Sequence, residues 1–141
     1  MSAQVNRQVI AKHFEAINAR LLAQVAGELN TADAVWTNVP AGTTFRGPQG
    51  YQQHVGAWLT AFPDARLDVK SIAAGDDFAV AQFVGRGTHN GPFETPAGPL
   101  PPTHKPAVVE FCEVYRLEDG RIASTELYFD VMGMLKQLGL A

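Results

Sequence analysis

Hydrophobic positions divide the chain into segments with a helical period and segments with a period of two. The first segment is predicted to be a helix, because its apolar residues recur every three to five positions along one stripe. These residues are Val5, Val9, Ile10, Phe14, Ile17, Leu21 and Leu22. A second helical stretch through Leu29 is expected to end at Asn30, whose side chain competes for backbone hydrogen bonds. A third helix is predicted from Pro48 to Pro63, with an aromatic stripe.

Period-two alternation and turn residues then predict an antiparallel sheet. The predicted strands are Ala34 to Val39, a strand around Leu67 to Lys70, Phe78 to His89, Ala107 to Glu118 and Arg121 to Asp130. Residues 41–47 have the composition of a turn. Asp119-Gly120 predicts a two-residue type I′ hairpin, because that turn needs positive φ at both central positions. A last helix is expected from Val131 to Leu138.

The segment Asn90 to Pro106 holds six of the nine prolines of the chain. Regular structure is not expected there, and the segment is long for a connection within one domain. Such loops are often lids or binding loops. We therefore expect it to border a pocket mouth, with His89 and Phe93 facing inward.

The order of these elements, helices first and a meander of strands second, predicts an α+β fold. The helices should pack on one face of a curved antiparallel sheet and enclose a cavity. The sequence shows no repeat and no linker, so residues 1–141 are expected to form a single domain.

Composition narrows the possible partners. The chain is 46% hydrophobic and 18% charged, with a net charge of −3, and its basic residues are scattered. Nucleic acids and anionic membranes need a basic patch, so neither is an expected partner. No apolar stretch is long enough for a membrane span. The single cysteine, Cys112, excludes an internal disulfide, and a cytoplasmic location is expected.

The last hairpin predicts a wall of carboxylates. If Asp119-Gly120 is the whole turn, residues whose numbers add up to 239 face each other across the two strands. The predicted pairs are Phe111 with Tyr128, Glu113 with Glu126, Tyr115 with Ser124 and Val109 with Asp130. Like charges directly opposite destabilise a sheet, so two facing glutamates indicate a functional requirement.

The other face of the same hairpin is predicted to be apolar. It should carry Cys112, Val114, Leu127 and Phe129. An apolar outer face indicates a partner, so we expect a homodimer that buries it.

Several motifs occur in an order and spacing typical of one family. They are Phe62-Pro63-Asp64, the run Gly-Thr-His-Asn-Gly-Pro-Phe at 87–93, Pro101-Pro102-Thr103, the run from Tyr115 to Ile122, and Tyr128-Phe129-Asp130 leading into Gln137-Leu138-Gly139. With them the chain resembles the SnoaL-like polyketide cyclases, or ester cyclase-like proteins, of the NTF2-like superfamily. The resemblance covers most of the chain.

This resemblance implies a cone of curved sheet around a pocket closed by helices, usually in a dimer formed through the sheet. It implies that Asp130 is the acid/base residue of an intramolecular aldol ring closure that uses no cofactor and no metal. It also places His54 where related cyclases have a polar pocket residue.

The candidate catalytic residues are therefore Asp130 and His89. The candidate pocket residues are Ile17, His54, Trp58, Phe93, Phe111, Glu113, Glu126 and Tyr128. Asp130 would remove a proton from carbon next to a carbonyl, while His89 or a protonated glutamate donates a hydrogen bond to the oxygen. Burial and neighbouring carboxylates are expected to raise the pKa of the base, Asp130, toward neutrality. Aromatic walls favour a small hydrophobic, aromatic or polyketide-like ligand.

Simpler interpretations stay open for each residue. Asp130 can cap the last helix, His89 can form hydrogen bonds only within the loop, and His54 can be a core histidine. His13 is expected to be half exposed, without a role. Glu113, Glu126, Asp130 and His89 together could ligate a metal, but no recognised metal-site spacing is present. The alternatives to a cyclase are a noncatalytic small-molecule binder or dimeric scaffold, and an enzyme that adds water to an epoxide or a double bond.

Overall fold

The computed structural model, which describes residues 2–141, has helices packed on one face of a curved, open sheet. The helices are α1 (Ala3–Ala19), α2 (Leu22–Leu29), α3 (Gly47–Ala61) and α4 (Val131–Gln137). The strands are β1 (Asn30–Asn38), β2 (Thr43–Arg46), β3 (Arg66–Ala74), β4 (Phe78–Thr88), β5 (Phe93–Thr95), β6 (Gly98–Leu100), β7 (Pro106–Glu118) and β8 (Arg121–Phe129). The α+β prediction is confirmed. Within residues 2–141, no helix is long and apolar enough to cross a membrane.

Six strands form the main sheet in the order β2-β1-β8-β7-β4-β3. Neighbouring strands are antiparallel except β1 and β8, which run parallel. Helix α1 packs against β3 and β4, and α3 packs against β1 and β2. The inner face of the sheet therefore faces both helices, and the site lies between them.

Two segments predicted to be irregular contain strands. Residues 43–46 of the predicted turn form β2, which pairs with β1. Within the proline-rich segment, β5 and β6 pair as a separate two-stranded ribbon. Pro99 is accommodated opposite Glu94 because each strand of a two-stranded ribbon has an edge that needs no backbone donor. The prediction that residues 90–106 lack regular structure was therefore wrong.

The β7–β8 hairpin has the predicted turn but a different register. Asp119 and Gly120 have φ values of 50° and 74°, as a type I′ turn requires. Arg116 lies opposite Ser124 and Leu117 opposite Ile122, so Ala123 is an extra residue in β8. This bulge shifts all pairs beyond it by one position.

The predicted pairing of Glu113 with Glu126 is therefore wrong. Glu113 lies opposite Leu127, and Phe111 opposite Phe129. Because side chains alternate along a strand, a slip of one residue moves each β8 side chain beyond Ala123 to the face opposite to its predicted one. Leu127 and Phe129 line the inner face.

The outer face of the sheet differs from its prediction for the same reason. Cys112 and Val114 lie on it as expected, but Glu126 and Tyr128 accompany them in place of Leu127 and Phe129. On β7 the predicted face is confirmed, since every second residue is buried. The buried set is Ala107, Val109, Phe111, Glu113, Tyr115 and Leu117.

Candidate active site

A cavity of about 210 Å³ lies between the inner face of the sheet and helices α1 and α3. Its wall is mostly apolar and includes six aromatic residues, one each from β2, α3, β4, β5, β7 and β8. These residues are Phe45, Trp58, Phe83, Phe93, Phe111 and Phe129. At the mouth lie exposed residues of the β5–β6 ribbon, Glu94 and Pro96, together with the β1–β2 turn. The expectation that the proline-rich segment borders a pocket is confirmed.

The structure brings six of the ten candidate residues to this cavity. They are Ile17, His54, Trp58, Phe93, Phe111 and Glu113. The other four, Asp130, His89, Glu126 and Tyr128, lie outside its lining.

Glu113 is the buried carboxylate of the cavity, with only 3% of its surface exposed. Its Oε1 lies 3.2 Å from Nε2 of His13 and also accepts a hydrogen bond from the hydroxyl of Tyr115. Its Oε2 lies 3.8 Å from Nε2 of His54, which also lines the cavity. Oε1 is therefore occupied by two donors, while Oε2 faces a second titratable group.

The groups around Glu113 determine which atom donates in its hydrogen bond with His13. The hydroxyl of Tyr51 lies 3.3 Å from Nδ1 of His13. Burial and the charge of Glu113 raise the pKa of Tyr51, and burial is also the first cause that raises the pKa of Tyr115. Both hydroxyls thus stay protonated. An ionised carboxylate only accepts, so Nε2 of His13 carries the proton that is donated to Glu113.

The pKa of Glu113 is lowered, which contradicts the option that a protonated Glu113 donates a hydrogen bond to the substrate. Burial by itself raises the pKa of this carboxyl, but the hydrogen bond from His13 and the nearby imidazole of His54 outweigh it and lower the pKa to about 2. No second carboxylate acts on it, because Glu126 lies on the outer face. Glu113 is therefore a carboxylate at neutral pH.

Sequence reasoning missed His13, which is fully buried and not half exposed. The available signal was its spacing, three residues after Ile10 and four before Ile17, which puts it on the apolar stripe of α1. A histidine on such a stripe needs a buried polar partner, and Glu113 was the buried carboxylate available.

Asp130 is placed differently from its prediction. Its side chain is exposed and accepts a hydrogen bond of 2.9 Å from the backbone N–H of Gly133, which makes it the N-cap of α4. It follows Phe129 at the end of β8, where the strand gives way to α4. The geometry matches the simpler interpretation, a helix cap.

His89 is buried at the base of the proline-rich segment. Its Nδ1 accepts a hydrogen bond of 3.2 Å from the backbone N–H of Thr103 and lies 3.0 Å from the Thr103 hydroxyl. Its backbone N–H donates to the carbonyl of Lys105. Burial, followed by the nearby His104, lowers the pKa of His89. These contacts hold the two ends of the segment together, and the prediction that His89 faces the pocket was wrong.

The four residues considered as metal ligands are dispersed. Glu113 lies in the cavity, Glu126 on the outer face, Asp130 at α4 and His89 below the ribbon. Among residues 2–141, no group of three or more His, Cys, Asp or Glu side chains is arranged to hold a metal ion.

Comparison with known proteins identifies the family. The profile of the SnoaL-like polyketide cyclases matches residues 8–138, from α1 to the end of α4. The chain belongs to the SnoaL-like polyketide cyclase family. The resemblance noted in the sequence is thereby confirmed.

Solved structures agree with this assignment. IdmH from Streptomyces antibioticus is 30% identical over 95% of this SnoaL-like chain and 98% of its own, with a TM-score of 0.76. TsrD from Streptomyces laurentii is 20% identical over 100% and 99% of the two chains, with a TM-score of 0.83. A protein from Catenulispora acidiphila with a ketosteroid isomerase-like fold is 16% identical over 94% and 93%, with a TM-score of 0.76. No curated protein matches this chain.

In this SnoaL-like protein, the cavity joins a wall with stacked aromatic rings to one carboxylate–imidazole pair. Phe83 and Phe111 stack with their ring centroids 5.0 Å apart, and Trp58 meets Phe111 edge-on at the same distance. The face of His54 is covered by Trp36, whose ring centroid is 5.2 Å away. The site can therefore hold a flat molecule with one end against Glu113 and His54.

Proposed function

We propose that this SnoaL-like protein is an acid/base enzyme that removes a proton from carbon next to a carbonyl group. The Glu113–His54 pair, with 3.8 Å between Oε2 and Nε2, would accept that proton at the buried end of the cavity. The observation that carries the proposal is the buried carboxylate of Glu113 beside the imidazole of His54 in a largely apolar cavity. Such pairs are typical of sites that hold and transfer protons.

The two members of the pair have different tasks. The hydrogen bond from His13 stabilises the carboxylate form of Glu113, so the proton taken from the substrate rests on the imidazole of His54. The carboxylate then stabilises the imidazolium at short range, which is its role in other carboxylate–histidine pairs. In an aromatic cavity this attraction is weakly screened and accordingly strong.

The enolate formed by this proton removal has two uses. It can be reprotonated at another carbon, which is an isomerisation. Alternatively, its carbon attacks a second carbonyl of the same molecule, a new C–C bond forms, and the resulting alkoxide takes the proton back from the imidazolium. The second course is an aldol ring closure, in keeping with the family to which the chain belongs.

The experiment uses β-tetralone, a neutral bicyclic ketone, as the probe. In D₂O its protons next to the carbonyl exchange for deuterium, and NMR measures the enzyme-catalysed rate above the spontaneous one. We expect catalysed exchange in the wild-type protein. We also expect Glu113→Gln to slow it by at least about 10²-fold, because the imidazolium of His54 then lacks its buried counter-charge.

Glu110→Gln is the matched control, because Glu110 lies on the same strand but on the outer face. It should leave the exchange rate unchanged. If β-tetralone binds but wild-type protein does not accelerate exchange, the proposal fails and a noncatalytic binder is favoured. Equal rates for the wild-type and Glu113→Gln proteins would also overturn it.

A further inference from the structure

The cavity limits the size of the substrate. Its volume is about 210 Å³, whereas a cavity of roughly 150 Å³ in another protein accommodates benzene. The space inside the mouth is thus enough for one ring or two fused rings. A molecule of three or more fused rings would have to extend past Glu94 and Pro96 into solvent.

The lining also limits the charge of the substrate. The ionisable groups among the described lining residues are His54, Glu94 and Glu113, with no lysine or arginine. Glu113 is ionised and lies at the buried end, while Glu94 is exposed at the mouth. An anionic ligand would lose its hydration and face two carboxylates, which is unfavourable in an apolar site.

The order of polar and apolar surfaces fixes the direction of entry. Glu113 and His54 are buried, and the stacked rings of Phe83 and Phe111 lie beside them. Trp58 and Phe93 line the less buried part. The reacting carbonyl end therefore enters first and the rings follow along the aromatic side of the cavity.

From these three observations we propose that the substrate is a neutral, flat compound of one ring or two fused rings whose carbonyl end lies against Glu113 and His54. The position of the carbonyl rests on the proposed function. The limits on size and charge rest on the volume and the lining of the cavity. They can therefore be tested separately from the proposed function.

Calorimetry with three probes tests size and charge: β-tetralone, the bicyclic anion β-naphthoate, and the tricyclic ketone anthrone. We expect β-tetralone to bind at least about tenfold more tightly than either of the others, a difference of about 1.4 kcal/mol. Equal or tighter binding of anthrone would overturn the size limit, and equal or tighter binding of β-naphthoate would overturn the charge limit.

Two variants connect these selectivities to named residues. Glu94→Lys should reduce the difference in affinity between β-tetralone and β-naphthoate. Glu118→Lys, the same change near the distant hairpin turn, should leave that difference unchanged. Gly85→Ala should weaken β-tetralone binding, because a Cβ there would lie 2.7 Å from a ring carbon of Phe111 and push the ring toward the cavity. Gly56→Ala is its control, since a Cβ at Gly56 meets no atom within 4 Å.

The outcomes separate the inference from the proposed function. If β-tetralone is preferred but its exchange does not depend on Glu113, the size and charge limits stand and the acid/base role fails. If exchange depends on Glu113 but anthrone binds best, the acid/base role stands and the inference fails.

Discussion

His13 and Glu113 are joined across the core, with 3.2 Å between Nε2 and Oε1, although they lie 100 residues apart in the chain. The contact attaches α1 to the centre of the sheet and occupies the carboxylate oxygen that also accepts from Tyr115. It leaves Oε2 directed to His54. The first helix thus contributes directly to the electrostatics of the cavity.

Removal of this contact should be costly. His13→Leu leaves a buried carboxylate short of one donor, and an unsatisfied buried polar group typically costs about 1–3 kcal/mol, more when it is charged. We expect urea denaturation to give a loss of roughly this size. His13→Gln, whose amide can still donate, should recover part of it. Equal losses for the two variants would mean that packing, and not the hydrogen bond, accounts for the effect.

Acid pH tests the ionisation of Glu113. Its pKa falls from the ordinary 4.5 to about 2 in the folded protein, so its contribution to stability is complete above pH 4.5 and is lost as the pH falls toward 2. The difference in unfolding free energy between wild-type and Glu113→Gln proteins should therefore change across this pH window, in favour of the variant at low pH. A difference that is constant from pH 4.5 to 2 would contradict the lowered pKa.

Asp130 should behave as a helix cap. Asp130→Ala removes the acceptor for the N–H of Gly133 and should lower stability by about 1 kcal/mol. Asp130→Asn retains a capping oxygen and should cost less. Thermal unfolding of the two variants measures this order, and an Asp130→Ala protein as stable as the wild type would argue against the cap.

The outer face of the sheet is expected to form a homodimer interface. Cys112 and Val114 lie there beside Tyr128, which is 44% exposed, and the Lys70–Glu110 and Arg86–Asp68 pairs balance four of the charges of this face. Sedimentation at micromolar concentration should give a dimer, and Val114→Asp should shift it toward monomer. A monomeric wild-type protein under these conditions would refute this expectation.

The fold could be predicted further from the sequence than the site could. Hydrophobic period predicted all four helices and most strands, and the positive-φ requirement correctly predicted the Asp119-Gly120 turn. The bulge at Ala123 had no turn residue to reveal it, and it reversed the faces of Glu126 and Tyr128. A weaker signal was present in the numbering of the apolar residues of β8. Ile122 is at an even position and Leu127 and Phe129 at odd ones, so all three face inward only if the strand has an extra residue between them.

The composition of the site is determined by two features that the local sequence pattern does not reveal. The sheet register decided that Glu113 has no carboxylate opposite it, and the packing of α1 brought His13 to its Oε1. Asp130 was chosen by resemblance, and its position at the junction of β8 and α4 makes the cap an equally local explanation. Glu113, by contrast, was already predicted to line the pocket, as one of the carboxylates on the inner face of the last hairpin.

Comparison of Glu113→Gln with Asp130→Asn in the β-tetralone exchange assay tests the central claim most directly. Each variant replaces a carboxylate by an amide of the same size, one inside the cavity and one at the start of α4. The account predicts that Glu113→Gln slows deuterium exchange by at least about 10²-fold while Asp130→Asn retains the wild-type rate. The opposite result, with exchange lost in Asp130→Asn and retained in Glu113→Gln, would contradict it.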